Sequence, residues 1–305
     1  MIRTDLLARA NDLRSSRTPF VLATVVRVER PTSAKAGDCA LVLPDGTIEG
    51  FVGGDCAEST VRLQGLRQLG AGQSTLLRIT PAGRDTGPGR DTGAETGADA
   101  GMSDEGLVTA HNPCLSGGTL DIFLEVMRPP MLVHVFGDSP IAHALEALGT
   151  AVGWEMRLVT SPDSPIPADA AAVVVASHGG DEQRALTQAL RAGVAYVALV
   201  ASRRRGGEVV KSLDIEPERR ARIHTPAGLD ISAHEPSEIA VSIAAEIIAS
   251  RSARNVTTET TDKVCGMTVA ATSGTPQLEH GGRVWYFCGS GCRDAFAANP
   301  ERYSA

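Results

Sequence analysis

The stretch MLVHVFGDSPIAHALEALGTAVGWEMRLV, residues 131–159, decides the fold class of this chain. An apolar run ends at Phe136, a turn begins at Gly137, and a helix pattern and a second strand pattern follow. Strand, helix and strand in this order form a βαβ unit, whose two strands pair in parallel. The alternation continues with strands at 171–176 and 196–200 and with helices at 182–191 and 237–249. Together these elements predict a Rossmann-like doubly wound parallel sheet over residues 131–253.

Two further domains are expected on either side of this sheet. Residues 1–127 combine a helix, alternating strands and a hairpin turn at 44–46, which predicts an N-terminal α/β domain. A proline-containing linker at 128–130 separates it from the sheet domain. A polar run over 250–261 leads to residues 262–305, which predict a small cysteine-rich α+β metal-binding module. The fold class is therefore α/β with a short additional module.

Residues 81–106 interrupt the N-terminal domain. The segment is biased toward Gly, Asp, Thr and Ala, and the motif GRDTG occurs in it twice. Because it lacks apolar periodicity, it cannot offset its ordering entropy by burial. We expect a flexible surface insertion, and a functional lid is the less favoured alternative.

Composition argues against several classes of protein. The 305 residues carry a net charge of −7, which disfavours a protein that wraps nucleic acid. No apolar run reaches the length of a membrane span and the first residues show no signal-peptide pattern, so we expect a cytoplasmic protein. Six cysteines are too few for a disulfide framework in a chain of this length. They are expected to be thiols or metal ligands.

Two glycine-flanked cysteines form the first candidate site. Cys56 opens a helix pattern, and Cys114 precedes two glycines. Glycines let backbone N–H groups converge on a ligand, and a helix N-terminus favours thiolate over thiol. The pair predicts a site for an anionic, thiol-seeking ligand, and the alternative is two buried cysteines in tight turns. The candidate cofactor-binding residues are Gly53, Gly54, Cys56, Glu58, Cys114, Ser116, Gly117 and Gly118.

The turn after the first strand of the sheet domain is a second candidate. Gly137 and Ala142 match the first and last positions of the motif G-x-G-x-x-[GA], but Ser139 replaces its second glycine. No acid follows the next strand until Asp163, whereas a dinucleotide site wants one to hold the ribose. The turn therefore supports the fold more than a dinucleotide, and it leaves a phosphate at the helix N-terminus open.

Later turns of the same sheet carry His178, Ser202 and Arg203. Loops at the carboxyl ends of parallel strands form the ligand crevice, so these side chains are candidates for contact with phosphate or pterin groups. The alternative is structural, with Asp181 as a helix N-cap and the arginines as a solvated helix start.

The tail holds a third candidate site. Cys265, Cys288 and Cys292 lie within 28 residues. Thiolates suit zinc and other thiophilic metals, and a module this small needs such a staple. His280 could complete the ligand set, or the fourth position could be open. A redox-labile thiol cluster without metal is the alternative.

Residues 15–250 resemble the XdhC/CoxI family, the chaperones that mature molybdenum hydroxylases. The motifs that carry this resemblance are ATVV at 23–26, GGDCAE at 53–58, CLSGGTLDIFLE at 114–125, LVASRRR at 199–205 and PAGLDI at 226–231. The tail resembles a YHS domain through VCGMTV at 264–269, YFC at 286–288, Cys292, Phe296 and PERY at 300–303.

The resemblance implies a carrier without turnover of its own. It implies that the chain binds the molybdenum cofactor, as molybdopterin or its cytosine dinucleotide form. The cofactor would be protected during sulfuration and then inserted into an apo molybdenum hydroxylase of the xanthine dehydrogenase or carbon monoxide dehydrogenase type. A cysteine desulfurase and a second copy of the chain, in a homodimer, are the other implied partners, and the tail is expected to take zinc or another thiophilic metal.

Two other functions stay open at this point. An NAD(P)-dependent oxidoreductase would use the turn at Gly137, although Ser139 and the missing ribose acid disfavour it. A metal-sensing protein or metallochaperone would act through the tail and use the rest of the chain as a docking platform.

Overall fold

The chain folds into two compact units in the computed structural model. Unit 1 comprises Met1–Pro129 and Asn255–Ala305, and unit 2 comprises Pro130–Arg254. The tail is thus part of the same unit as the N-terminal domain. The structure describes residues 3–81, 102–104, 106–112, 118–177, 179–251 and 257–303.

The N-terminal part of unit 1 is a seven-stranded sheet with a helix on each face. The strand order is β3-β2-β1-β7-β4-β6-β5, and every neighbouring pair is antiparallel except β4 and β6. Its elements are α1 (Arg3–Ser15), β1 (Phe20–Glu29), β2 (Cys39–Val42), β3 (Ile48–Gly50), α2 (Asp55–Ala71), β4 (Thr75–Pro81), β5 (Met102–Asp104), β6 (Leu107–Asn112) and β7 (Thr119–Met127).

Alternation along β1 explains why both faces are covered. Val21 and Val25 point to the face where α2 packs with Val61, whereas Phe20 packs with Leu6 of α1 on the other face. The apolar alternation of the sequence is thus divided between two cores, and it fixes helix α2 against the centre of the sheet.

The segment expected to be a loop, 81–106, contributes to this sheet. Met102–Asp104 form β5, which pairs antiparallel with β6, and β6 itself pairs in parallel with β4. The expectation of a loop was wrong for these residues because their backbone groups find partners in a neighbouring strand, which an apolar pattern does not reveal. Residues 82–101 and 105 of the expected insertion lie outside the described residues.

Unit 2 is the doubly wound parallel sheet that the sequence predicts. Its five strands follow the order β12-β11-β10-β8-β9 and all pair in parallel. Its elements are β8 (Leu132–Phe136), α3 (Pro140–Ala151), β9 (Glu155–Val159), β10 (Ala172–Val175), α4 (Glu182–Arg191), β11 (Tyr196–Leu199), α5 (Arg203–Lys211), α6 (Pro217–Arg220), β12 (Ile223–His224) and α7 (Pro236–Arg251).

Helices cover both faces of this sheet, because β8, β10 and β11 are buried along their whole length. Leu145 of α3 and Ile243 of α7 belong to the core on one face, and Leu186 of α4 belongs to the core on the other. The strand order reverses between β8 and β10, and a ligand crevice is expected at the carboxyl ends of these two strands.

The tail adds two small hairpin sheets and a helix to unit 1. Phe287 and Phe296 are fully buried and form its aromatic centre, with ring centroids 5.2 Å apart. Ala270 of the tail belongs to the core that α2 forms with the N-terminal sheet. Its elements are β13 (Glu259–Thr261), β14 (Thr268–Ala270), β15 (Gln277–His280), β16 (Arg283–Tyr286), α8 (Ser290–Ala298) and a 3-10 turn at Pro300–Arg302.

None of the helices in the described part of the chain is long and apolar enough to cross a membrane.

Candidate functional site

Three cysteines of the tail come together in one cluster. The Sγ atom of Cys288 lies 3.6 Å from Sγ of Cys265 and 3.6 Å from Sγ of Cys292. The ligand atoms of these residues and a carboxylate oxygen of Asp262 all lie within 4.8 Å of one another. Three thiol donors at this spacing suit a thiophilic metal ion, as the sequence predicted.

Asp262 connects the two segments that carry the cysteines of this cluster. Its side chain is fully buried, its Oδ1 atom accepts a hydrogen bond from the N–H of Val264 at 2.8 Å, and its Oδ2 atom accepts one from the N–H of Cys288 at 2.8 Å. The carboxylate therefore ties the turn that carries Cys265 to the start of the segment that carries Cys288. Sequence reasoning missed Asp262, although its place three residues before Cys265 is a usable signal.

His280 does not belong to the cluster, so the expectation that it could complete the ligand set was wrong. Its ring faces Phe296 edge-on at 5.9 Å between centroids, and its backbone oxygen accepts a hydrogen bond from Nε1 of Trp285. The histidine lies on the β15–β16 hairpin, and aromatic packing of that hairpin decides its position.

The thiols of the cluster shift one another's pKa values in opposite directions. The hydrogen bonds that link Cys288 to the sulfur atoms of Cys265 and Cys56, together with burial, raise the pKa of Cys288. Burial raises the pKa of Cys292 to about 12, whereas the hydrogen bond from Cys288 lowers the pKa of Cys265. A metal ion bound by these sulfur atoms would displace their protons.

Cys56 lies against the same cluster. It is the second residue of α2, and its side chain packs on the buried group formed by Met267, Val269 and Cys288. The sequence predicted Cys56 at a helix start but paired it with Cys114, not with the tail. Its adjacency to Cys288 is a tertiary contact between residues 232 positions apart, and no local pattern announces it.

The turn before α2 explains the two glycines ahead of Cys56. Gly53 has a φ of 138°, and a Cβ there would lie 3.0 Å from Cβ of Ala57. Gly54 occupies the N-cap position, and a Cβ on it would meet no atom of the described residues within 4 Å. Gly53 is thus required by conformation, whereas Gly54 leaves the helix N-terminus open to an incoming group.

Glu58 has a structural partner. Its carboxylate pairs with Nη2 of Arg62 at 2.9 Å, and Nε of the same arginine donates to the backbone oxygen of Gly46 at 2.8 Å. The Arg62 side chain is only 5% exposed, and burial lowers its pKa. Glu58 therefore neutralises a buried guanidinium, a role that the sequence did not suggest.

The second glycine-flanked cysteine is only partly described. Cys114, Ser116 and Gly117 lie outside the described residues. Gly118 begins the approach to β7, and a Cβ on it would overlap the backbone oxygen of Pro31 and lie 2.7 Å from that of Glu29. Close backbone approach is a sufficient reason for glycine at this position.

In unit 2, the turn after β8 lies at the reversal of strand order. Gly137 has a φ of 121°, and a Cβ there would lie 2.5 Å from the backbone oxygen of Ala176. Oγ of Ser139 accepts a hydrogen bond from the N–H of Ala142 at 3.2 Å and caps α3. A cavity of about 360 Å³ opens here, lined by Ser139, Ile141, Ala176, Ser177, Val200 and Arg205.

The arginine that faces this cavity is Arg205, which sequence reasoning did not select. It forms an ion pair with Glu182, whose side chain is 5% exposed. Ser202 caps α5 by accepting a hydrogen bond from the N–H of Arg205 at 3.3 Å. His178 lies outside the described residues, and Asp181 precedes α4 in a left-handed conformation without a side-chain cap.

Arg203 lines a second, larger cavity of unit 2. This cavity has a volume of about 860 Å³ and also includes Ser202, His224, Gly228 and Glu246 in its lining. Tyr196 donates its hydroxyl hydrogen to Glu246 at 2.6 Å, and Nδ1 of His224 lies 2.8 Å from the same carboxylate. Arg203 and Ser202 therefore share one concave surface, whereas Ser139 lies at the smaller one.

Three known protein families match separate parts of the chain. Residues 13–80 match the XdhC and CoxI family, residues 133–247 match the XdhC Rossmann domain, and residues 260–305 match the YHS domain. The uncharacterized protein YqeB of Escherichia coli K12 is 28% identical over 271 residues, which cover 80% of this chain and 46% of YqeB. The chain therefore spans about half the length of this relative.

Two further likenesses are more limited. A copper-transporting P-type ATPase of Rhizobium leguminosarum bv. viciae is 55% identical over 42 residues, which are 14% of this chain and 5% of the ATPase. A crystal structure of a xanthine dehydrogenase from Bacillus halodurans covers 81% of this chain and 96% of its own, at 17% identity and a TM-score of 0.38. The structural likeness is too weak to carry functional information.

Proposed function

The chain belongs to the XdhC/CoxI family and carries a YHS domain, and from this premise we propose that it binds the molybdenum cofactor and delivers it to a molybdenum hydroxylase. The hydroxylase would be of the xanthine dehydrogenase or carbon monoxide dehydrogenase type, and the cofactor would be protected while it receives its sulfido ligand. In this proposal the cofactor is cargo, and the chain performs no turnover. The observation that carries the proposal is the thiol of Cys56 in the first turn of α2, directly after the glycine turn of Gly53 and Gly54.

Cys56 is the residue proposed to hold the molybdenum end of the cargo. A thiolate is a ligand for a thiophilic metal, and the N-terminus of a helix favours negative charge beside it. Gly53 permits the conformation of the turn before α2, Gly54 has space beside it, and Gly118 permits the close approach to the backbone of Pro31 and Glu29. Cys114, Ser116 and Gly117 belong to the same proposed site on the strength of the family resemblance, whereas Glu58 would act through Arg62.

Unit 2 offers candidate sites of its own for a phosphate group. The helices α3 and α5 begin at the carboxyl ends of parallel strands, where an anion is favoured. Ser139 lines one cavity there, and Gly137 belongs to the turn that leads to it. Ser202 and Arg203 line the other cavity. His178 is included by its place after β10.

A nicotinamide dinucleotide is a poorer occupant of unit 2. The side chain of Ser139 stands where the pyrophosphate would approach the backbone, and its hydroxyl is engaged in capping α3. Asp163, the first acid after β9, is exposed and pairs with Arg184 at 2.6 Å. An oxidoreductase would need a ribose ligand that this position does not offer.

A second candidate function is supported by the tail. Cys265, Cys288 and Cys292 supply three thiols at metal-ligand spacing, and the likeness to a copper-transporting ATPase supports a soft ion such as zinc or Cu(I). The bound metal would supply charge neutralisation to the clustered thiolates. On this proposal the tail senses or carries metal, and the rest of the chain serves as a docking platform.

Mass spectrometry of the ligand carried by anaerobically purified protein tests the main proposal. We expect the wild-type chain to retain a molybdopterin and the Cys56→Ser variant to lose at least about 90% of it, since a ligand bond to the cargo is removed. Cys39→Ser is the matched control, because Cys39 lies at the start of β2 in the core with α1. Retention of no pterin by the wild type, or equal retention by both variants, would count against the proposal, and saturable NADH binding would favour the oxidoreductase.

A further inference from the structure

The tail by itself supplies three thiols and leaves a fourth ligand position open. Both oxygens of Asp262 already accept backbone hydrogen bonds, one from Val264 and one from Cys288. The carboxylate thus positions the turn, and because one of its oxygens lies within 4.8 Å of all three sulfurs, Asp262 is the competing fourth ligand. Structural zinc sites are almost always tetrahedral, so one further donor is needed.

Cys56 is placed to be that donor. Its side chain packs on the buried group that contains Cys288, and Cys292 packs on the same group. Cys56 and Cys292 both lie in the first turn of a helix, α2 and α8 respectively, where the helix dipole favours negative charge. Cys56 is therefore a direct neighbour of the cluster, whereas the ligand atoms that already lie within 4.8 Å of one another are those of Asp262, Cys265, Cys288 and Cys292.

The contact between α2 and the tail is tightly built. A Cβ on Gly289 would lie 2.5 Å from Oδ2 of Asp55, so the residue before α8 has to be glycine for this approach. Ser290 donates to the same carboxylate at 3.4 Å, and Arg67 of α2 forms two hydrogen bonds of 2.7 Å with Glu259. These contacts hold Cys56 beside Cys288 without help from an ion.

We propose that Cys56, Cys265, Cys288 and Cys292 form one four-thiolate site for a thiophilic ion such as Zn²⁺, shared between the N-terminal domain and the tail. This inference rests on the metal site proposed for the tail and adds a ligand from outside it. Its consequence is a competition, because an ion bound by Cys56 withdraws this thiolate from a pterin cargo. The Sγ atom of Cys56 can then bind either the metal ion or the cargo, but not both.

Titration of the anaerobic, reduced full chain with Co²⁺ tests the four-thiolate site. Cobalt substitutes for zinc, and its sulfur charge-transfer bands scale with the number of thiolates bound. Wild type should bind one Co²⁺ with a tetrahedral four-thiolate spectrum. Cys56→Ser should lose about a quarter of the charge-transfer intensity, since one of four thiolates is removed. Its affinity should fall at least about tenfold, because loss of even an outer-shell partner has that effect. Cys39→Ser should match the wild type.

The outcomes separate this inference from the functions proposed above. An unchanged spectrum and affinity in Cys56→Ser would overturn the role of Cys56 and leave the three-cysteine site of the tail intact. Absence of Co²⁺ binding in the wild type would overturn both metal proposals, and neither result depends on pterin binding.

A second measurement needs no variant. In the wild-type chain, Zn²⁺ should protect Cys56 from alkylation together with the three tail cysteines, and it should leave the labelling of Cys39 unchanged. Labelling of Cys56 that does not respond to Zn²⁺ would overturn the inference.

Discussion

Glu246 is the residue whose ionisation should control the acid stability of unit 2. Its carboxylate accepts hydrogen bonds from the Tyr196 hydroxyl at 2.6 Å and from the N–H of Gly228 at 2.8 Å, and it pairs with His224. Burial raises the pKa of Glu246, but the hydrogen bonds from Tyr196, His224 and Gly228 lower it by more, so the net pKa is lowered. Burial also raises the pKa of Tyr196, which keeps the hydroxyl a donor.

We expect Glu246→Gln to flatten the acid dependence of unit 2. A carboxyl whose pKa is lowered on folding contributes stability above its ordinary pKa, and this contribution is lost as the pH falls through the folded pKa. At pH 7 the variant should lose about 1.5–3 kcal/mol, the usual contribution of hydrogen bonds to a charged group. The difference from wild type should shrink toward pH 3. Urea unfolding followed by Trp154 fluorescence measures it, and a deficit that does not change with pH would contradict the role of the charge.

The sequence revealed which residues could bind metal or titrate, but not which residues contact them in the folded protein. Cys265, Cys288 and Cys292 could be predicted because their short spacing limits where they can lie. The partnership of Glu246 with Tyr196, 50 residues earlier, could not be predicted, since it forms only when α7 packs beside β11. The same reason hid the contact between Cys56 and Cys288.

The loop between β14 and β15 is the element that anchors the tail to the N-terminal sheet. The N–H of Gly274 donates to the backbone oxygen of Asp45 at 2.8 Å. A Cβ on Gly274 would overlap the backbone of Gly46 and Thr47 in the turn between β2 and β3. The two loops can approach this closely only while position 274 has no side chain.

Gly274→Ala should therefore loosen the tail. Overpacking of this kind costs about 1–3 kcal/mol, because neither backbone can yield. Hydrogen exchange should accelerate in β13, β14 and the turn between β2 and β3, and slowly exchanging amides of unit 2 should keep their rates. Gly291→Ala is the matched control in α8, where a Cβ would meet no described atom within 4 Å and alanine favours the helix by about 1 kcal/mol. Equal exchange in wild type and Gly274→Ala would show that the loop contact carries little stability.

Whole elements were predictable in proportion to the strength of their pattern. The helix α4 at Glu182–Arg191 and the strand β9 at Glu155–Val159 lie where the sequence placed them, because burial on one or both faces writes a regular apolar pattern. The strand β5 was missed, since an edge strand of three residues is specified by its partner. The helix α8 begins at Ser290, directly after its N-cap Gly289, although the sequence Gly-Ser-Gly is typical of a loop.

The division of the molecule into two units makes metal binding a local effect. An ion bound only by folded ligands stabilises the unit that holds them, by about 2.7 kcal/mol at a free concentration one hundred times its Kd. Unit 1 contains Trp285 and unit 2 contains Trp154, the two tryptophans of the chain. Each can report on its own unit in a variant with the other changed to Phe.

We expect a chelator to lower the melting temperature reported by Trp285 and to leave that reported by Trp154 unchanged. Restoring Zn²⁺ should reverse the shift in wild type and should do so less effectively in Cys288→Ser, which lacks the central thiol of the cluster. A chelator that shifts both tryptophan transitions equally would contradict a metal site confined to unit 1.

The discontinuity of unit 1 has a consequence for biosynthesis. Its two segments are separated by all of unit 2, so a ribosome makes residues 130–254 before it makes the part that covers α2. At roughly 5–20 residues per second, translation of residues 130–305 lasts on the order of 10–30 s. During that time Cys56, and the surface of the N-terminal domain that Ala270 will later cover, are exposed to solvent, to oxidants and to folding factors. The newborn protein thus passes through a period in which its α2 thiol can meet other ligands before its own tail arrives.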